Sequence, residues 1–414
     1  MKRSHAGASE LSRRYFLKGL AGLGAAGWLR TAHSSAKAGD VVELPFAQGS
    51  REIVRDFPQK GPMILQRTRP PLLETPFEVF DRGVFTPNDR FYVRWHLANV
   101  PDSIDAGEFR LKVHGHVRQP VAYSLRELVY GFPAFEIAAV NQCSGNSRGF
   151  FTPRVPGGEW GNGAMGNALW RGVRLRDVLD RVGVAAGAVQ VRFRGLDTGA
   201  LPQTPDFIKS LSVDHARDGE VMIAYEMNGE PLPLLNGFPL RLVVPGWYAT
   251  YWVKMLADIE VLDEPDQNFW MSKAYLIPDT PGANVTPQEK NVRMVPINRM
   301  VPRSFITNLT DGAKIERGRS LLVRGIAFGG DAGIARVQLS TEGGEQWQDA
   351  KLGPDQGKYG FRSWQHTVRL EAAGEKRLMV KATNTAGVAQ PAAANWNGGG
   401  YMRNVIESTS IHVT

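Results

Sequence analysis

Asn141-Gln142-Cys143-Ser144-Gly145-Asn146-Ser147-Arg148 carries the only cysteine of the 414-residue chain. It follows an apolar run, Phe135 to Val140, and is crowded with small and polar side chains. Gly145 lets the backbone turn sharply beside the thiol, and Arg148 sets a permanent positive charge nearby. Such a setting favours thiolate over thiol, and a thiolate is the soft donor that a transition metal accepts. Two other readings stay open on these residues alone. A small structural hydrophobe would ordinarily sit among Val, Leu and Ala, and a cysteine nucleophile needs a histidine base that the local sequence does not place.

The rest of the chain narrows the class. Its formal charge is +8, but the first 38 residues carry seven Lys/Arg and one acid, leaving 42 basic and 40 acidic side chains after them. The body is therefore close to neutral, and no nucleic-acid partner is expected. No apolar run is long enough for a permanent membrane span. Ser12-Arg13-Arg14-Tyr15-Phe16-Leu17-Lys18, a Gly/Ala-rich apolar stretch from Gly19 to Leu29, and Ala36-Lys37-Ala38 read as a twin-arginine signal over residues 1–38 with a small-x-small cleavage site. A periplasmic protein exported folded, with a complex cofactor already inserted, is the expectation. A single cysteine allows no intramolecular disulfide, no C-x-x-C-H haem attachment and no cysteine-ligated iron–sulfur cluster.

Hydrophobic patterning divides the remainder. Residues from about 40 to 85 are rich in Pro and turn residues and read as an extended lead-in wrapped on a core. Strand alternation in Phe109 to Val113 and Gln190 to Arg194 is interleaved with helical patterns over Ser124 to Val129 and Leu175 to Val182. Leu240 to Val244 is an apolar strand stopped by Pro245-Gly246. A mixed α+β catalytic domain over 39–285 is expected. After it, short strands recur between Gly/Asp/Asn turns: Ser320 to Ile326, Ile334 to Leu339, Trp364 to Leu370 and Arg377 to Ala382. Ser340 to Trp347 reads as a hairpin closed on a buried tryptophan. An immunoglobulin-like β-sandwich over 286–414 is predicted.

Several stretches, in order, resemble the sulfite oxidase family of molybdopterin enzymes. They are Phe91-Tyr92-Val93-Arg94-Trp95-His96-Leu97, the Cys143 segment, Glu159-Trp160-Gly161-Asn162-Gly163-Ala164, Gly195-Leu196-Asp197, Tyr225 to Pro233, and Gly237-Phe238-Pro239-Leu240-Arg241 with Lys254. The resemblance covers nearly everything after residue 80. It implies a molybdenum–molybdopterin cofactor, one per chain, with Cys143 as the metal's thiolate ligand. It further implies an anion pocket of Arg94, Arg148, Tyr275 and Trp160, and pterin and phosphate contacts from His96, Asp197, Asn236, Arg241 and Lys254. Guanidinium forks suit sulfite and its sulfate product. The C-terminal sandwich is expected to dimerise.

Two departures stand out. Gly399, in Trp396-Asn397-Gly398-Gly399-Gly400-Tyr401-Met402-Arg403, occupies the place of a third pocket arginine in vertebrate members, leaving open whether Arg403 reaches in. Asn236 stands where relatives have a pterin-contacting histidine. No haem-b module is recognisable, so electrons are expected to leave for an external c-type cytochrome, either transiently or in a heterodimer with a cytochrome subunit. The expected reaction is two-electron oxidation of sulfite to sulfate, that of a sulfite dehydrogenase. Rival readings are an exported molybdopterin reductase acting on methionine sulfoxide in proteins and a non-catalytic exported β-sandwich binding protein. His114 and His116, a His-Gly-His pair, read as strand or turn residues rather than metal ligands.

Overall fold

The apolar run ahead of Cys143 forms the strand Phe135–Gln142, which pairs antiparallel with Met165–Arg174 along its whole length, from Phe135↔Gly172 to Gln142↔Met165. Met222–Met227 lines the other side of Met165–Arg174 and carries Arg241–Val243 beyond it. The approach is tight at Gly172, where a Cβ would lie 2.0 Å from the Ile223 carbonyl oxygen. This sheet is sealed from water, with Val140, Ala168, Trp170, Ile223 and Leu242 all wholly buried. Its strands therefore read as near-continuous apolar runs rather than alternating ones. The cysteine is thus delivered at the end of a rigid, buried strand.

The structure is a computed structural model that describes residues 40–414; the basic N-terminal segment with its expected export signal lies outside them. A second sheet runs in the order Ile208–Ser212, Gln190–Arg194, Asp258–Leu262, Arg110–Gly115, Val121–Ser124. Only the Asp258–Leu262 to Arg110–Gly115 pairing is parallel. Both expected helices form. Leu125–Gly131 starts in a capping box, with the Glu127 amide donating to Ser124 Oγ (3.2 Å) and the Ser124 amide donating to the Glu127 carboxylate (2.8 Å). Leu175–Val182 buries Leu175, Val178, Leu179 and Val182, the i, i+3, i+4, i+7 face of an amphipathic helix. With these and two four-residue helices the region is mostly strand, so the helical share is smaller than an even α+β mixture.

The Pro-rich lead-in is more regular than its composition suggests. It forms a five-stranded antiparallel meander, Val41–Glu43, Ser50–Val54, Met63–Arg67, Leu72–Glu74 and Val93–Arg94. Met63, Leu73, Val93 and Trp95 pack with Leu235 and Met255 into a small separate core. This meander carries Arg94 and His96 toward the cysteine.

Two sheets make up the C-terminal part. One contains Arg303–Ile306, Ser320–Phe328, Arg362–Arg369 and Lys351–Leu352; the other contains Ala313–Ile315, Glu407–Val413, Gly374–Asn384, Ile334–Ser340 and Gln348–Asp349. They enclose one core around Val323, Val337, Trp364, Val380 and Ile411. The expected hairpin is present, with Leu339 opposite Gln348, but Trp347 is only half-buried. Its indole N–H donates to the Gly344 carbonyl (2.9 Å) and Lys381 Nζ lies 4.2 Å over the ring. It sits on the turn, beyond the reach of the facing sheet, and Trp364 fills the core instead. Phe305, Phe328, Phe361 and Met402 join the core of the preceding region, so the two parts share apolar packing.

Candidate active site

Cys143 is buried just past the strand Phe135–Gln142, its amide bonded to the Ala164 carbonyl (2.9 Å) and its carbonyl accepting from the Asn146 amide (2.9 Å). Ser147 then takes a left-handed conformation (φ 68°) that turns the chain into Arg148–Phe150. A narrow cleft opens at the thiol. Its walls include Arg94, His96, Cys143, Asn236, Arg241, Lys254 and Tyr275, seven of the ten residues expected at the site. Sequence-distant segments meet there: the meander, the cysteine strand, and the strand carrying Arg241, which faces Lys254 across an isolated bridge.

The other three expected residues stand outside the lining. Arg148 is packed into glycine: a Cβ at Gly145 would fall 2.5 Å from its guanidinium, and one at Gly157 2.9 Å from Nη1. Its charge still reaches the Tyr275 and Tyr401 phenols. Trp160 is buried beside the cysteine loop, its carbonyl accepting from the Gly149 amide (3.0 Å). Asp197 is buried next to Lys254, and burial drives the carboxyl up and the ammonium down while each charge opposes the other's shift. Arg403 turns away from the cleft to bond Glu407 (3.3 Å), with its guanidinium 5.0 Å over the Phe150 ring. His114 and His116 bond Asp258 (3.1 Å) and the Ala186 carbonyl (2.7 Å), as strand residues do. Among the described residues no cluster of His, Cys, Asp or Glu suits a metal held by protein ligands alone.

Cations dominate the cleft. Lys254 Nζ donates to the Arg94 carbonyl (2.8 Å) above the Trp95 ring. Arg241 donates to the Asn236 carbonyl (3.0 Å) and to Asn141 Oδ1 (3.1 Å), and burial lowers its pKa to about 10. Lys60, from the meander, is a residue the sequence did not single out. Buried behind Asn236, it donates to Asn236 Oδ1 (2.5 Å) and to the carbonyls of Asn88 (2.8 Å) and Phe91 (2.9 Å). Burial brings its pKa to about 7, against the pull of Asp89. No local motif marks Lys60; only the folding of the meander over residue 236 brings the ammonium in.

Tyr275 has a left-handed backbone (φ 56°), unusual for a bulky residue and a form of strain found at functional sites. Its hydroxyl lies 2.5 Å from His96 Nε2. Burial, joined by Arg94, Lys254 and Lys209, holds the His96 imidazole well below its ordinary pKa, and burial pushes the Tyr275 phenol up. Both groups are therefore neutral at pH 7. His96 is stacked on Phe207 at 3.5 Å between centroids, which fixes the ring plane.

The donor set tests whether a molybdopterin fits. Among the described residues, Arg94 Nη1, Asn141 Nδ2, Ser144 Oγ, Arg241 Nε and Thr250 Oγ1 are buried without a hydrogen-bond partner, and all five residues line this cleft. Each such group costs about 1–3 kcal/mol if left unpaired. Five of them beside Lys60, Arg94, Arg241 and Lys254 suit a polyanion, and the buried thiol beside them suits a soft metal. The residues present fit the group.

Residues 96–270 match the oxidoreductase molybdopterin binding domain, and 294–414 match the Mo-co oxidoreductase dimerisation domain. The chain is 34% identical over 379 residues to mitochondrial sulfite oxidase of Homo sapiens, covering 87% of this chain and 67% of that one. It is 32% identical to sulfite oxidase of Gallus gallus, covering 89% and 81%. The fold is also that of the sulfane dehydrogenase SoxCD from Paracoccus pantotrophus, with a TM-score of 0.72 at 20% identity, covering 94% and 95%. With Cys143, Arg94, His96, Arg241, Lys254 and Tyr275 gathered on one cleft, the chain belongs to the sulfite oxidase family of molybdopterin enzymes.

Proposed function

We propose that the protein oxidises sulfite to sulfate and passes the electrons to an external c-type cytochrome. The observation that carries this reading is the convergence of a buried thiol, the Arg94 guanidinium and the Tyr275–His96 pair on one cation-rich cleft. Cys143 is the residue that would ligate molybdenum, and Asn236, Arg241, Lys254 and Asp197, with Lys60 behind them, would hold the pterin and its phosphate. The chemistry the group supplies when bound is two-electron oxygen-atom transfer.

The chain's own residues bind and orient. Arg94 presents an unpaired Nη1 to the cleft, a donor placed for a sulfite oxygen, and Arg148 adds positive field from behind. Neutral His96 and the Tyr275 hydroxyl share a hydrogen bond (2.5 Å), which fixes the direction of the phenol. Because His96 carries no charge, the positive charge that meets the anion comes from the arginine and lysine side chains around it. Phe207 and Trp252 line the same cleft and limit water.

The relatives named above and the cleft support sulfite as substrate. The paired arginines of Ser12 to Lys18 support periplasmic export by the twin-arginine route, and the C-terminal two-sheet sandwich supports an immunoglobulin-like dimerisation domain or a seat for a cytochrome subunit. Purified protein with its molybdenum content measured should reduce cytochrome c with sulfite and leave methionine sulfoxide untouched. Arg94→Gln should raise the sulfite KM by about tenfold or more, the loss of one charge-assisted hydrogen bond. Unchanged kinetics in that variant, or turnover of methionine sulfoxide alone, would sink the assignment.

A further inference from the structure

The segment 396–404 of the C-terminal part closes on the cysteine loop from behind. The Met402 amide donates to the Ser144 carbonyl (3.0 Å), Arg148 Nη2 donates to the Gly399 carbonyl (3.2 Å), and the Trp396 indole donates to the Pro153 carbonyl (2.8 Å). Within it, Tyr401 is presented rigidly. Its amide donates to Asn397 Oδ1 (3.0 Å), and Asn397 Nδ2 returns a bond to the Tyr401 carbonyl (2.9 Å). One face of the ring lies 5.3 Å from Tyr275 and nearly parallel to it (23°). The Arg148 guanidinium sits over the ring at 5.2 Å. The phenol feels Arg148, Arg94 and Cys143 together, which places it among the charged groups of the pocket.

We propose that Tyr401 is a positioning residue of the anion pocket, supplied by the C-terminal domain, whose ring fixes the Arg148 charge and the Tyr275 phenol relative to Cys143. This rests on the sulfite reading above and names one more determinant of the same site. Glycine elsewhere around Arg148 leaves the guanidinium with little side-chain wall: positions 145, 157 and 400 would each put a Cβ within 3 Å of it. The aromatic face is a side-chain wall against this charge, beside the Gly158 and Gly399 carbonyls that Nη1 and Nη2 reach (3.4 and 3.2 Å), and a guanidinium over a ring is held by the ring's negative face. The ring also excludes a cation from its own end of the pocket. A Cβ at Gly399 would lie 2.7 Å from the Tyr401 ring, so a longer side chain there and the ring in this place cannot coexist. The pocket's positive charge thus stays with Arg94 and Arg148.

Sodium sulfate binding to the molybdenum-loaded protein, measured by calorimetry, tests this without turnover. Tyr401→Phe keeps the platform and should bind sulfate within about twofold of the parent. Tyr401→Leu removes the platform and should bind about 3- to 30-fold more weakly. A Tyr401→Leu protein with full molybdenum content and unaltered sulfate affinity overturns the proposal, as does a Tyr401→Phe protein that binds sulfate more weakly than that twofold range. If the leucine variant does not fold, Tyr401→Met, which fills the space without a ring face, carries the same expectation and the same refuting result. A parent that binds sulfate as expected but oxidises no sulfite refutes the function and leaves the assignment of Tyr401 standing.

Discussion

Replacing Lys60 by methionine separates a buried charge kept for an anion from one kept for the fold. The substitution removes three hydrogen bonds, to Asn236 Oδ1 and the carbonyls of Asn88 and Phe91, and at the same time relieves the burial of an ammonium. Those effects oppose each other, each at several kcal/mol, so a single stability value decides little. The pH dependence decides more. An unfolded lysine keeps its proton to 10.5 and the folded one loses it near 7. Between these values the unfolded state binds more protons, so this group makes stability rise with pH, by about 1.4 kcal/mol per pH unit. Methionine has no such slope. From pH 8 to 9.5 the variant should therefore fall a further ~2 kcal/mol behind the parent (1.5 pH units at that slope). Lys209 and Lys254, also held down by burial, are present in both proteins and cancel in the difference. Urea unfolding of cofactor-free protein, followed by tryptophan fluorescence at constant ionic strength, gives the number. In loaded protein the slope should shrink, because a bound phosphate keeps the ammonium charged. A parent–variant difference that stays level from pH 8 to 9.5 would refute the reasoning.

Cys143→Ser should lose sulfite oxidation and retain little molybdenum by elemental analysis, because a hydroxyl is a poorer soft donor than a thiolate; full activity in that variant would overturn both the ligand and the function. Ser124→Ala, at the capping box of Leu125–Gly131, should destabilise the protein by about 1 kcal/mol with sulfite kinetics unchanged, and a change in KM would show that this helix communicates with the cleft.

How much was legible in the sequence can be judged residue by residue. Cys143 was readable because a lone thiol among Asn, Gln, Ser and Gly is chemically out of place, and Arg94 and His96 because two positions along an extended chain return to one face. The helices expected over 124–129 and 175–182 followed from helical apolar patterning, while the capping box that starts the first came with the structure. Trp347 was misjudged because a tryptophan at a hairpin turn looks the same in sequence whether the facing sheet covers it or not. Lys60 and Tyr401 carried no local signal at all. A lysine in a Pro-rich stretch and a tyrosine after three glycines are ordinary surface residues until the chain brings them to residues 236 and 148.

What the sequence by itself determined was the kind of chemistry: thiol, guanidinium and phenol side chains in family order, with a single cysteine that leaves no other thiol donor in the sequence. Local propensity and motif spacing are short-range properties, and they survive reading one residue after another. Only the tertiary structure decided which charges share the cleft, that Arg403 is spent on Glu407 and not on the pocket, and that the second domain presses Tyr401 against Arg148. Those outcomes depend on contacts between residues far apart in the chain. Burial and charge balance at such contacts arise only when the core closes.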